Sequence, residues 1–275
     1  MIRICHNFGV EMKQYGSCPG SDGDAPISCR DNCPYMEIIN DMNKLKTITF
    51  TGIDEKTDVD ALKAIKEEYP IVEFGVLMSR NWMTNGNRYP NPETISRFLD
   101  QGLNLSAHLC GGIAKSAFAG DFSKVIEKYP VFSHPDFKRV QLNVSPYEDI
   151  FETAAHLDEP LEKEIIIQQK SPTLKYSQAF NRFSSLNENL NVTMLVDPSG
   201  GRGKDEGLDL IATDHKIGYA GGINIGNVED KLVMLLNTET IGDFWIDMES
   251  GVRTDDWFDV EKVRKILEVC NRIIK

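Results

Sequence analysis

Long apolar runs are missing from this chain. Nothing in its 275 residues approaches the roughly 20 needed to cross a bilayer. The amino end, MIRICHNFGVEMKQ, lacks the apolar core of a secretory leader, so a cytoplasmic location is expected. Clusters of Lys and Arg are missing too. At a net charge of −12 the bulk field opposes nucleic acid and anionic membrane as partners. The C-x2-C spacing of a zinc knuckle occurs nowhere, and no third cysteine follows Cys33 closely enough for a radical-SAM pattern. Beyond Met42 there is no internal repeat, low-complexity tract or long linker. What remains has an ordinary globular composition and is long enough for one barrel-sized domain or two small ones.

The cysteines that are present are unevenly spread. Cys5, Cys18, Cys29 and Cys33 fall in the first 33 residues, and Cys110 and Cys270 stand alone in the rest. Four thiols in a Gly/Pro/Asp-rich segment raise a structural zinc site, with C-x3-C at Cys29 and Cys33. Free thiols and disulfides stay open beside it. The expected organisation is therefore a cysteine-bearing extension over 1–42 and a folded domain over 43–275.

From Lys46 onward β-rich runs alternate with amphipathic helical runs, the pattern of an α/β fold with parallel strands. Strands are expected at 47–53, 72–79, 105–110, 139–145, 164–170, 192–197, 216–220 and 244–248. Helices are expected at 59–68, 92–101, 118–128, 147–156, 176–189, 228–237 and 260–274, with 205–213 too weakly patterned to assign. Number, order and size match a (β/α)8 TIM barrel; a doubly wound open sheet is the alternative. Strand parity favours the barrel. Thr47, Thr49 and Thr51 share a face, as do Ser106, His108 and Cys110, and Gln141, Asn143 and Ser145. With helices covering the other face, these polar sets should point inward and line a cup at the carboxyl ends.

Three late strands end in glycine: LVDPSGGRGK at 195–204, IGYAGGINIGNV at 217–228 and FWIDMESGVR at 244–253. Glycine lets backbone N–H groups approach a ligand, and a helix start beyond adds positive dipole. Consecutive ends of this kind late in a barrel suit a phosphate, here through Gly221, Gly222, Ser250 and Gly251. Arg202 and Lys204 offer extra charge. For proton transfer the inward face of 105–110 supplies His108 and Cys110, and Asp197 stands at a strand end before glycines.

In these residues the chain resembles the phosphoribosylanthranilate isomerase family. Thr49-Phe50-Thr51-Gly52-Ile53-Asp54 is similar to that family's K-I-C-G-I-T, and Asn87-Arg88-Tyr89 to its S-x-R-Y. Val140-Gln141-Leu142-Asn143-Val144 stands against V-Q-L-H-G, and Leu195-Val196-Asp197 with Gly200-Gly201-Arg202-Gly203-Lys204 against L-L-D and G-G-x-G-K. Ala220-Gly221-Gly222-Ile223 through Asn227-Val228 is similar to A-G-G-L-x-x-x-N-V, and Ile246-Asp247-Met248-Glu249-Ser250-Gly251-Val252 to V-D-x-S-S-G-V. The similarity runs from about Lys46 to the carboxyl terminus.

The resemblance implies an Amadori rearrangement of an N-linked ribose phosphate, in the family's place in tryptophan biosynthesis. It implies no cofactor for the barrel. It makes Asp197 the acid, gives Asp247 the substrate amine and Arg88 a substrate carboxylate, and puts Asn143 in the substrate site. Where the family has its basic cysteine this chain has Thr51, whose hydroxyl is no base at neutral pH, so His108 or Cys110 becomes the candidate. The expected partner is a small phosphorylated sugar or ribotide, bound by a monomer or homodimer. A lyase or aldolase using Lys170 as a Schiff-base residue, and a non-catalytic phosphosugar-binding barrel, are the rival readings.

Overall fold

The first and last strands of the repeating unit pair with each other, and that contact closes the barrel. In the computed structural model the described residues are 3–5, 10–12, 44–80, 83, 86–144, 155, 162–170 and 174–274, with backbone alone at 3–5, 10–12 and 174–179. Near the amino end β1 (Arg3–Cys5) and β2 (Val10–Met12) form an antiparallel pair. The cysteine positions proposed for zinc lie outside the described residues at Cys18, Cys29 and Cys33, and at Cys5 only the backbone is described.

The barrel strands are β3 (Leu45–Thr51), β4 (Val72–Ser79), β5 (Leu105–Cys110), β6 (Phe137–Asn143), β7 (Glu164–Gln169), β8 (Val192–Val196), β9 (Ile217–Tyr219) and β10 (Phe244–Met248). Each pairs in parallel with the next, and β10 returns to β3 in the register Asp247↔Thr49, which excludes the open sheet. The crossovers include α1 (Val59–Glu68), α2 (Pro92–Ser96), α3 (Gly112–Phe118), α4 (Ser123–Lys128), α5 (Leu174–Leu186), α6 (Val228–Asn237) and α7 (Val260–Ile274). Caps start several of them. Asp58 accepts from the backbone N–H of Asp60 at 3.0 Å ahead of α1, and Asn91 from Thr94 at 2.8 Å ahead of α2, where Pro92 takes the first helical position.

Two helices depart from the sequence pattern. The expected 118–128 helix is instead α3 and α4, separated at Gly120, whose φ of +85° cannot continue a right-handed helix. The 92–101 helix stops at Ser96, and Asp100 and Gly102 take φ of +57° and +70°. The 205–213 segment forms no helix, and the expected 147–156 helix falls almost wholly outside the described residues.

Alternation along the strands sorts the side chains as parity required. One face, with Ile48, Phe50, Phe74, Val76, Ala107, Leu109, Val140 and Leu142, is buried in the large core beneath the helices. Such burial is worth about 1.5–3 kcal/mol for each large apolar side chain. α7 meets this layer through Val263, Ile266, Leu267 and Cys270, spaced as one helical stripe. The other face fills the barrel. Ile166, Leu195, Ala220 and Trp245 form a separate inner cluster.

At the amino ends of the strands the interior is charged. Arg139 Nη1 lies 3.1 Å from Glu73 Oε1 and its Nε 3.5 Å from Glu164 Oε2, and its guanidinium stacks 4.3 Å over the Trp245 ring. Thr49 donates to Glu73 at 3.0 Å, and Lys216 to Glu164 at 2.7 Å. Burial pushes the Glu164 carboxyl up, but Arg139 and Lys216 outweigh it and hold the group below the ordinary carboxylate range. These pairs plug the bottom, and the cleft opens at the carboxyl ends.

Candidate active site

Three loops follow β8, β9 and β10, and glycines let them press together. A Cβ on Gly222 would sit 2.4 Å from the Asp205 nitrogen, one on Gly251 2.1 Å from the Ile223 carbonyl oxygen, and one on Gly203 2.0 Å from Ser250 Oγ. Any side chain there would push neighbouring loops away from each other. Gly221, Gly222, Ser250 and Gly251 also line the cleft, beside Gly200, Gly201 and Gly203. Loop packing and a ligand-facing backbone are thus one arrangement. Lys231, buried on α6, braces it by donating to Asp205 Oδ1 at 2.7 Å and to the Gly221 carbonyl at 3.2 Å. Arg202 points elsewhere, to the Ser199 carbonyl at 2.7 Å and Glu206 at 2.7 Å, and neither it nor Lys204 lines the cleft.

Asp197 stands just past β8 and is buried at the cleft wall. Its Oδ1 accepts from the Ser199 hydroxyl at 2.7 Å and backbone N–H at 3.1 Å, and its Oδ2 from Gln168 Nε2 at 2.8 Å and the Gly201 N–H at 2.5 Å. Four donors fix the orientation of this carboxylate. The glycines after it permit the tight return that brings the Gly201 N–H back: Gly200 and Gly201 have φ of +61° and +80°.

Thr51 and Asp247 meet where the barrel closes. The Thr51 hydroxyl donates to Asp247 Oδ1 at 2.7 Å. Across the interior His108 Nδ1 is 3.9 Å from Asp247 Oδ2, and its Nε2 is 2.9 Å from Ser106 Oγ. Room for this set comes from Gly75 on β4, where a Cβ would lie 2.4 Å from Thr51 Oγ1 and 3.0 Å from His108 Nε2. Burial raises the Asp247 carboxyl to about 7, with the Thr51 hydrogen bond pulling the other way. Burial, aided by the charge of Arg139, lowers the His108 imidazole to about 3, so it is neutral at physiological pH. Cys110 is likewise buried, and its thiol is pushed up to about 12 despite the hydrogen bond from Asn143 Nδ2 at 3.2 Å. Asn143 also accepts from Gln141 Nε2 at 2.9 Å.

Arg88 lines the cleft, and its guanidinium is already engaged. Nη1 donates to Glu249 Oε1 at 2.8 Å and Nη2 to Asp256 Oδ1 at 3.1 Å. Burial raises the Glu249 carboxyl, and Arg88 and then Arg253 oppose the rise. Arg253 in turn ties the β10 loop to the start of the barrel, donating to the Gly52 carbonyl at 2.7 Å and to Asp54 Oδ2 at 3.1 Å.

Of the barrel residues singled out from sequence for chemistry or binding, Thr51, Arg88, His108, Cys110, Asn143, Asp197, Gly221, Gly222, Asp247, Ser250 and Gly251 line this one cleft. Lys170 does not, which leaves the aldolase reading without its lysine there. Sequence reasoning gave no role to Gln168, Ser199 and Glu249, which also line it. Only Glu249 carried a readable signal, an acid between the strand-end Asp247 and the Ser250-Gly251 pair.

The fold and the cleft together define a (β/α)8 barrel whose polar mouth is built from strand-end carboxylates and three interlocked glycine loops. Residues 137–269 match the family model described as N-(5'phosphoribosyl)anthranilate (PRA) isomerase. Within the barrel class the chain is similar over this stretch to the phosphoribosylanthranilate isomerases. The N-(5'-phosphoribosyl)anthranilate isomerase of Streptococcus gordonii is 23% identical over 147 residues, covering 52% of this chain and 70% of that protein. The solved structure of N-(5'-phosphoribosyl)anthranilate isomerase from Pyrococcus furiosus overlays with a TM-score of 0.48 at 15% identity, covering 82% of this chain and 98% of that one. The phosphoribosyl anthranilate isomerase from Thermococcus kodakaraensis gives 0.47 at 16%, with the same coverage. The family match takes in Asp197, the glycine loops and Asp247, while Thr51, Arg88, His108 and Cys110 lie outside it.

Proposed function

We propose that this chain is an aldose–ketose isomerase acting on an N-linked ribose phosphate or a related aminosugar phosphate. The single observation that carries the reading is the placement of two buried strand-end carboxylates, Asp197 and Asp247, in the cleft that the glycine loops rim. The loops after β9 and β10 would hold the phosphate on backbone N–H groups, with the start of α6 behind them.

Asp197, in its protonated form, gives a proton to the ring oxygen as the C1–O bond breaks, leaving an iminium at C1 and the Asp197 carboxylate. Asp247 takes the proton from C2, and the C2–H electron pair forms the C1=C2 bond while nitrogen recovers its own pair. Protonation at C1 and loss of the C2 hydroxyl proton complete the ketose, an isomer of the starting material. The base thereby moves from the two residues expected from sequence to Asp247. A neutral imidazole lowered to about 3 and a thiol raised to about 12 are both poorly matched to proton abstraction, whereas a carboxyl near 7 is well matched. Thr51 serves by holding Asp247 in place.

The test is turnover of the adducts of ribose 5-phosphate with anthranilate and with aniline, followed by loss of each adduct. Asp197→Asn and Asp247→Asn should each lose roughly 100-fold or more in kcat. Full turnover by Asp197→Asn would sink the acid assignment, and inert adducts throughout would sink the isomerase reading. A soluble phosphorylated substrate of this kind accords with work in the cytoplasm.

A further inference from the structure

Resting on that reading, we infer that the substrate carries no carboxylate at the end held by Arg88, and that Glu249 is the residue that excludes one. Arg88 is the arginine in the cleft lining among the described residues, and both of its terminal nitrogens already bind protein carboxylates. The other ionisable acids of the lining are Asp197 and Asp247. An anthranilate-type carboxylate entering beside Arg88 would have to displace Glu249 or lie against it.

Both routes are unfavourable. Displacement strands Glu249, which is largely buried, without the guanidinium that answers its charge. Juxtaposition sets two like charges side by side. An uncharged amine substituent, or one bearing a hydroxyl or ammonium that can bond to Glu249, meets neither obstacle. The chain itself makes the contact fixed. Glu249 stands next to Ser250 at the glycine-packed rim, and Asp256 sits on the turn between β11 (Arg253–Thr254) and β12 (Trp257–Phe258), where Arg253 donates to its backbone carbonyl. Arg88 is therefore gripped from two sides of one loop.

The probes are the borohydride-reduced, non-isomerisable adducts of ribose 5-phosphate with aniline and with anthranilate, which differ by the ortho carboxylate alone. Calorimetric Kd values should favour the aniline adduct by at least about 10-fold in the wild-type chain. In Glu249→Gln, and in Glu249→Ser as a second variant, that preference should shrink by about 10-fold or reverse. Equal or tighter wild-type binding of the anthranilate adduct, or a preference untouched in both variants, overturns the inference, as does failure of both probes to bind. Selective binding with neither parent adduct turned over would instead remove the isomerase reading and leave the selectivity standing.

Discussion

The hydroxyl of Thr51, at the end of the first barrel strand, donates to Asp247 on the last one across 2.7 Å. Although 196 residues separate them in sequence, the two side chains are neighbours because β3 and β10 form the seam of the barrel. The hydrogen bond positions the Asp247 carboxylate at the mouth of the cleft. Burial has already given that carboxylate a proton affinity suited to neutral pH.

This relationship predicts a pH profile. With Asp247 as base, kcat/KM should rise with pH through about 7 and level off above it. The Thr51 hydrogen bond lowers the Asp247 value, so Thr51→Val should move the acid limb upward and reduce kcat, by roughly tenfold for each 1.4 kcal/mol lost. Thr51→Ser keeps the donor and should keep the limb. A limb unmoved in Thr51→Val would detach Thr51 from Asp247.

Stability should report the same group with a definite sign. Folded, Asp247 keeps its proton up to about pH 7, whereas an unfolded aspartate loses it near about 4. Between those values unfolding releases a proton, so stability falls as pH rises through the window and is flat above it. Asp247→Asn removes this cost. Its melting temperature relative to wild type should climb between about pH 4 and 7, by an amount equivalent to a few kcal/mol, while turnover is lost. A constant difference across that window would contradict the buried-carboxyl account.

The loop glycines separate packing from mere flexibility. Gly251→Ala forces a Cβ to within 2.1 Å of the Ile223 carbonyl and should destabilise by about 1–3 kcal/mol while weakening inhibition by inorganic phosphate. Gly112, the first residue of α3, has nothing within 4 Å of such a Cβ. Gly112→Ala should be neutral or stabilise by about 0.5–1 kcal/mol. Thermal melts of the two variants, with and without phosphate, decide the matter.

At the barrel floor Arg139 depends on Glu73 and Glu164. Glu73→Ala removes one answering charge and leaves the buried guanidinium under-compensated, which should cost about 3–5 kcal/mol by urea denaturation. Because these groups lie at the opposite ends of the strands from the glycine loops, phosphate affinity in the folded fraction should be unchanged.

Much of the fold was legible in the residues themselves. The polar alternation of Thr49 and Thr51, of Ser106 and His108, and of Gln141 and Asn143 marked the inner face, and those side chains do fill the barrel or its mouth. The apolar spacing of α1, α6 and α7 marked helices at the bounds observed. Where a break depended on one left-handed residue, as at Gly120, the hydrophobic pattern ran straight through it. The glycine rims were readable because close backbone approach leaves few alternatives to glycine. His108 and Cys110, in contrast, looked reactive by residue type and lost that character only through their burial.

Local pattern was therefore enough for strand order, for the inward face and for the loops that rim the cleft, since each follows from side-chain period and backbone freedom within a few residues. Who meets whom was settled by closure. It set Thr51 beside Asp247, and it carried Arg88 to Glu249 across 161 residues of chain. It also withdrew water from His108, Cys110 and Asp247, raising two of these groups and lowering the third. Proton affinity and charge pairing depend on distance and solvation, and both exist only once the eight strands have closed into a barrel.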